Sequence, residues 1–338
     1  MKKILLISFI IGGLVFGGFN KSGTTTAAFL KIGVGRATGM GEAFTGVADD
    51  ASAVYWNPAG ISFMENREIM LTHNDWAADV YQEFVSAVVP TGFGVVAFSA
   101  SYVGMGKIVQ TTIDNPLTPG YREDLGDLNS YVSASDLWTS VTYSRLVTDR
   151  LSFGANVKYF QSQIWQMTSG GIAFDIGLFY RTPFNNINLG VSVNNFGADV
   201  HFRGRQLQYL DPDSVYQDKT IPVEIVTAKD PLPTLFRFGV SIPIFKNFIV
   251  AFDVVHPSDI NETVNIGFEY GTKIFALRGG YIFNTDLDYQ EAIGYMHGIT
   301  GGASFLFNIG NNRSKIDYSY RNLGYLGMSH RVGLSIVF

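Results

Sequence analysis

The chain has 338 residues, with 24 Lys and Arg against 29 Asp and Glu, a formal net charge of −5 and no cysteine. Net acidity argues against a nucleic-acid partner, and the missing cysteines exclude disulfides and a lipid-modified cysteine. Charged residues make up only 16%, below the roughly 25% of soluble domains, while 27 Phe, 17 Tyr and 37 Gly accompany a mean hydropathy of +0.14; this balance fits a wall with lipid on one side and water on the other.

The chain opens MKKILLISFIIGGLVFGG. Lys2 and Lys3 precede an apolar run over residues 4–16, too short for a membrane-spanning helix and typical of a secretory signal peptide. Residues 1–23 are assigned to that leader. Cleavage is expected between Gly18 and Gly23, where no clean small-x-small site singles out one bond. No later apolar run is long enough to form a membrane helix.

Residues 24–66 do not alternate. GVGRATGMG, residues 33–41, has the glycine density of a phosphate loop. The pattern fails, because Thr38 stands where Gly33 and Gly35 require a third glycine, and no buried strand precedes it. Tight packing inside a barrel accounts for the glycines better. In DDASAVYWNPAGI, residues 49–61, Asp49 or Asp50 can cap a short helix through residues 51–56. Pro58 pushes Asn57 out of helical geometry, so the helix stops there. A thin Ala- and Gly-rich piece with no core of its own has to pack on something, and the interior of the strands that follow is the available place.

From about Arg67 to Phe338 the spacing predicts fourteen strands, the first two over residues 67–76 and 81–90. LSFGANVKY sets Leu151, Phe153, Ala155, Val157 and Tyr159 against Ser152, Gly154, Asn156 and Lys158. GGIAFDIGLFY, INLGVSVNN and five later runs repeat the pattern. Period two over roughly 9–11 residues is the length of a tilted strand crossing a bilayer. The second face is mostly Gly, Ser, Asn and Ala, which suits a crowded, wet interior. A soluble sandwich explains alternation equally well; the connectors separate the two. Short ones fall near residues 91–92, 148–150, 182–186, 244–247, 271–273 and 310–313. Long ones span 104–134, 161–170, 198–231 and 284–297, and intermediate ones 256–262 and 322–327. Sorting by parity is the habit of an outer-membrane barrel, with short periplasmic turns and long outer loops. The expected fold is therefore all-β: a transmembrane antiparallel barrel over residues 67–338, with a partly helical N-terminal plug, residues 24–66, in its lumen. The final run MSHRVGLSIVF alternates and stops on Phe338. Such an ending resembles the signal read by the bacterial barrel-assembly machinery.

Lys158, Asp175, Arg237, Asp253, Glu269, Arg278, Asp317 and Arg321 alternate with apolar residues. A cation on the lipid face costs about 2–4 kcal/mol at midplane, so these charges are expected to point inward. Paired charges that fix a plug are the expected role; ion conduction is the alternative. His73, His201, His256, His297 and His330 are scattered without metal-ligand spacing, and no nucleophile–base pairing can be read, so no catalytic residue, metal or cofactor is expected. Asp114, Glu123, Asp124 and Asp127 in one loop, and Asp211, Asp213 and Asp218 in another, match no calcium loop and read as solvated charge.

The run AFLKIGVGRATGMGEAFTGVADDASAVYWNPAGIS, residues 28–62, resembles the N-terminal signature of the PorV/PorQ family, relatives of the FadL-type outer-membrane transporters of hydrophobic compounds. The likeness rests on Gly39, Gly41, Ala43, Asp49, Asp50, Ser52, Asn57, Pro58, Ala59 and Gly60. It implies that this segment is a hatch in a fourteen-stranded barrel, with the hatch's Asn-Pro-Ala turn at Asn57, Pro58 and Ala59. In those transporters a kinked early strand opens the wall sideways; here Gly94 and Gly104 in the third strand would permit it. One branch of the family implies passive passage of fatty-acid-like molecules from the outer-membrane bilayer. The other implies a type IX secretion component that holds secreted proteins at the cell surface. The shared motifs do not separate the two.

Overall fold

The structure is a computed structural model and describes residues 26–106, 108–109, 131–204, 207–216, 219–288, 290, 294 and 296–338. The expected leader and the loop acids Asp114, Glu123, Asp124, Asp127 and Asp218 lie outside these residues, and the side chains of Asp211 and Asp213 are likewise not described.

Fourteen strands form the wall: β1 Glu68–Asp75, β2 Tyr81–Thr91, β3 Gly94–Gly104, β4 Ala134–Leu146, β5 Leu151–Ile164, β6 Met167–Arg181, β7 Asn188–Gly197, β8 Leu235–Phe245, β9 Phe248–Pro257, β10 Thr263–Gly271, β11 Phe275–Asn284, β12 Ile299–Ile309, β13 Asn312–Asn322 and β14 Met328–Val337. Each pairs antiparallel with the next, and β14 returns to β1 from Glu68↔Val337 to Asp75↔His330, closing the barrel. Closure gives each wall strand two hydrogen-bonded neighbours, so the ladder leaves no open edge. β14 ends at Val337; the Phe338 amide donates to the Arg67 carbonyl at 2.9 Å, and the ring is exposed.

Alternation in sequence becomes alternation of faces. Along β1, residues are buried and exposed in strict turn. Leu71, Phe98, Val141, Val157, Ile176 and Phe268 point outward and are exposed, while Ser86, Ser140, Asn156 and Ser192 point inward and are buried. Each large apolar side chain would yield about 1.5–3 kcal/mol on leaving water. An outer surface covered with them is therefore made for lipid rather than solvent. Among the described residues no helix is long and apolar enough to cross a membrane.

One expectation about the connectors needs correction. Residues 161–170 are not a long loop: β5 and β6 stay paired to Ile164↔Met167 and turn through Trp165 and Gln166 alone. Trp165 has φ 52°, the left-handed value that two-residue hairpins need. The long connector 198–231 is present and carries structure of its own: Gln208–Tyr216 pairs with Lys219–Glu224, and Val200 bridges Asp230. Gly94 and Gly104 stand at the two ends of β3, whose ladders to β2 and β4 run without a register shift. A register break falls between β6 and β7 at Phe174/Ile176, where Asn195 takes φ 60°.

The core of the molecule lies inside the wall. Residues 26–64 enter the lumen as short 3-10 turns, Ala28–Lys31, Gly35–Met40 and Gly60–Phe63, around the one-turn α-helix α1, Ala53–Trp56. Val34, Met40, Phe44, Trp56 and Ile61 are fully buried here against Phe84, Trp138, Phe160 and Phe179 of the wall. α1 is two residues shorter than expected. Its start is held by Asp50, whose Oδ1 accepts from the Ser52 amide at 2.9 Å, and Asn57 leaves it at φ −153° ahead of Pro58.

Candidate functional site: the occupied lumen

A segment with so little regular structure carries backbone groups that need partners. The wall's small polar side chains supply them. Ser86 donates to the Ala51 carbonyl at 2.9 Å, Ser152 to Ala59 at 2.8 Å, Ser192 to Trp56 at 3.0 Å and Ser241 to Gly46 at 2.8 Å. Asn194 donates to Tyr55, and the Gly41 amide donates to Thr300 Oγ1 at 2.8 Å. The inner face is thus polar to bond a backbone, where the composition alone pointed to a wet interior. Asn57 joins three elements: its Nδ2 donates to the Thr45 and Leu178 carbonyls, both at 3.0 Å, and its Oδ1 accepts from the Ala59 amide at 3.2 Å.

Close approach requires wall glycines. A Cβ on Gly190 would overlap the Thr45 carbonyl oxygen, and one on Gly267 the Met40 carbonyl oxygen. Within the segment, Gly41 (φ 62°) faces the β10 and β11 backbone, Gly39 lies against Gly302, and Gly60 touches Ala48. Ala43 is fully buried.

The inward charges fall into groups. Arg36 lies at the centre of the largest: Nε reaches Asp50 at 2.7 Å, Nη1 reaches Glu269 at 2.5 Å, and Nη2 pairs with Asp49, which is itself half-exposed. Glu269 also binds Arg278 at 2.5 Å, Arg278 binds Asp317 at 3.1 Å, and Lys315 lies 3.2 Å from Asp317 and 3.7 Å from Asp50. Burial pushes the Asp50 carboxyl up, but Arg36, then Lys315, and the Ser52 hydroxyl outweigh it and hold Asp50 well below the usual carboxylate range. Elsewhere, Lys158 pairs with Asp175 at 2.8 Å and donates to Asn195 at 2.8 Å, beside the register break. Asp253 accepts from the Phe44 and Thr45 amides at 3.1 and 2.9 Å. Arg321 meets Glu42 at 2.5 Å, and the Arg237 guanidinium lies 4.9 Å from the Trp56 ring centre.

The sequence reading missed Arg36, Lys31, Glu42, Glu68, Lys315 and Arg331. Lys315 and Arg331 were readable, since they share strand parity with Asp317 and with the buried side of β14. Arg36 had no period to reveal it. Of the histidines, His73, His256 and His330 are exposed on the outer face, beside Glu83, Glu262 and Tyr318 respectively. Among the described residues no group of three or more His, Asp or Glu is placed to hold a metal ion.

The segment separates two hollows. At the long-loop end a chamber of about 280 Å³ lies between residues 28–42 and the ends of β8–β11, β13 and β14. At the short-turn end one of about 310 Å³ lies beneath Asp49, Gly60, Phe63 and Phe179. A further hollow of about 570 Å³, lined by Leu71, Val85, Leu137, Ile316 and Val332, is on the outside of the wall.

With this geometry in place, comparison with known proteins is informative. A family model described as an uncharacterised protein family (UPF0164) matches residues 19–159. The toluene transporter TbuX of Ralstonia pickettii superposes with a TM-score of 0.55 at 15% identity, covering 90% of this chain and 97% of that one. The CymD monoaromatic hydrocarbon channel gives 0.54 at 14%, covering 90% and 97%, and the toluene transporter TodX of Pseudomonas putida 0.52 at 14%, covering 90% and 96%. None of the curated proteins compared matches. At these identities the likeness establishes a shared barrel fold.

Proposed function

We propose that the protein is a FadL-like outer-membrane barrel that lets hydrophobic small molecules diffuse inward past a movable N-terminal hatch. The observation that carries this reading is the arrangement of two chambers with residues 26–64 packed between them. A molecule entering at the long-loop end meets apolar Ile32, Leu235 and Ile282 beside charged groups. It can reach the other chamber only if the hatch shifts. The hatch continues by peptide bonds into β1 and is otherwise held to the wall only by hydrogen bonds, ion pairs and apolar packing, so its displacement is reversible. The barrel neighbours described as toluene and monoaromatic hydrocarbon channels support this class of cargo. In this reading residues 1–23 direct export, the short-turn end faces the periplasm, the lipid-facing wall sits in a Gram-negative outer membrane, and Phe338 presents the last strand to the barrel-assembly machinery.

The test is uptake of a hydrophobic fluorescent probe into proteoliposomes, with mass spectrometry of molecules that co-purify. Faster entry than into protein-free vesicles is expected. Equal entry, with nothing apolar co-purifying, would contradict the proposal.

A second reading is a PorV-like secretion component that binds secreted proteins. The paired strands Gln208–Tyr216 and Lys219–Glu224, which add structured surface at the long-loop end, favour it. It predicts unchanged probe entry, and secretion defects only when those outer loops are altered.

A further inference from the structure

The two chambers inside the barrel share part of their walls. Among the described residues, β8 and β9 are the strands that line both. Leu235, Arg237 and Val255 face the long-loop-end chamber, and Ser241, Pro243 and Ile249 face the short-turn-end one. Arg237 and Ser241 are four positions apart, about 14 Å along a strand. The hatch crosses the same gap. Glu42 lines the first chamber, Val47 and Ala48 line the second, and residues 43–46 run between them.

The barrier at this point is thin. Gly46 of the hatch lies on Gly239 of β8: a Cβ on Gly46 would come within 3.0 Å of the Gly239 carbonyl, and one on Gly239 within 2.7 Å of the Gly46 amide nitrogen. Neither residue has a side chain, so backbone alone meets backbone midway between the chambers. Hydrogen bonds hold it there. Asp253 Oδ2 on β9 accepts from the Phe44 and Thr45 amides at 3.1 and 2.9 Å, and Ser241 on β8 donates to the Gly46 carbonyl at 2.8 Å. Buried amides need an acceptor, and an ionised carboxylate makes stronger bonds to them than a neutral group does. Asp253 is buried, and Gly239 leaves the room its carboxyl group occupies. We infer that cargo crosses the hatch here, along β8 and β9 past residues 43–46, and that Asp253 is the positioning residue that keeps this gate closed. The inference rests on the transport reading for the presence of cargo, but the gate can be tested without any.

A chain without cysteine allows single thiols to report the opening. Ala251 is fully buried on the inner face of β9, between Asp253 and Ile249, and so lies on the inferred route. Ser140 is buried on the inner face of β4, 2.7 Å from Ser99, and lies off it. The rate of labelling by N-ethylmaleimide is measured for Ala251→Cys and for Ser140→Cys in the purified full chain, each with and without Asp253→Ala. Ala251→Cys should react slowly with Asp253 in place and on the order of 100-fold faster without it, because two amides lose a charged acceptor. Labelling of Ser140→Cys should not change. If Asp253→Ala fails to fold, Ser241→Ala takes its place, with an acceleration of about fivefold for one neutral bond lost. A merely structural role for Asp253 would loosen the whole lumen and speed both thiols alike; that result, or no acceleration at Ala251→Cys, would overturn the inference. Uptake by proteoliposomes separates the gate from the transport reading. Selective labelling without entry of the hydrophobic probe sinks transport and keeps the gate; probe entry without selective labelling does the reverse.

Discussion

Replacing Arg36 by Gln should loosen the hatch without unfolding the wall. The guanidinium holds Asp50, Glu269 and Asp49 together. Removing one partner of a buried ion pair typically costs about 3–5 kcal/mol. Here the loss falls at the low end, about 3 kcal/mol, because Glu269 keeps Arg278 at 2.5 Å and Asp50 keeps Lys315 at 3.7 Å and the Ser52 amide at 2.9 Å. Arg36 belongs to no wall strand, so the penalty falls on the closed position of residues 26–64 rather than on the barrel ladder. A change of that size multiplies an open-to-closed ratio on the order of 100-fold. Single-channel recording in a planar bilayer reads that ratio directly. Rare brief openings of the unaltered protein should become frequent in Arg36→Gln, while the heat-dependent gel shift of the folded barrel is retained. If the variant stays as closed as the parent, the ion-pair cluster is not what holds the hatch. If the variant loses the gel shift, the division between hatch and wall is wrong.

Other consequences can be measured separately. Gly190→Val places two methyl groups where the Thr45 carbonyl packs; it should raise conductance with the wall still assembled, and a tightly closed variant would show that the close approach is not needed. The Asp50 carboxyl is held low, so its contribution is fully present above its unfolded pKa of about 3.9 and fades only as pH falls below that value. A difference in open probability between parent and Asp50→Asn should therefore persist down to about pH 4.5, and its complete loss already near pH 6 would refute the assigned direction. Phe338→Asp should lower the amount of barrel reaching the membrane more than it lowers the stability of what arrives, since the ring is exposed and only its amide bonds to Arg67; normal insertion in cells would contradict the role given to that residue.

The wall was legible because its physics is local. One face meets lipid and the other does not, so a period of two is written along each strand, and an unpaired strand cannot survive in hydrocarbon. The β5–β6 turn was misplaced for the same reason. Beyond bilayer depth the outward face carries Gln161 and Gln163, and Gly170 and Gly171 follow, so the composition of a loop covers residues that remain paired. Asn57 and Pro58 were readable because Pro restricts the residue before it, and the structure finds Asn57 extended. Arg36 was not readable. Its three carboxylate partners include Glu269, which is 233 positions away and brought near only by barrel closure. Nor did the wall glycines betray their purpose: Gly190 and Gly267 look like fillers of a narrow lumen until Thr45 and Met40 are seen against them.

The central claim is that cargo passes only when residues 26–64 move, and the absence of native cysteine allows a direct test. A Cβ on Gly39 would lie 3.2 Å from the Ser319 hydroxyl, within reach of a disulfide between Gly39→Cys and Ser319→Cys. Uptake of the hydrophobic probe by proteoliposomes of this double variant should stop on oxidation and return on reduction, with the single variants indifferent to both treatments. Equal uptake by the oxidised and reduced protein, with the cross-link verified by mass spectrometry, would contradict the account.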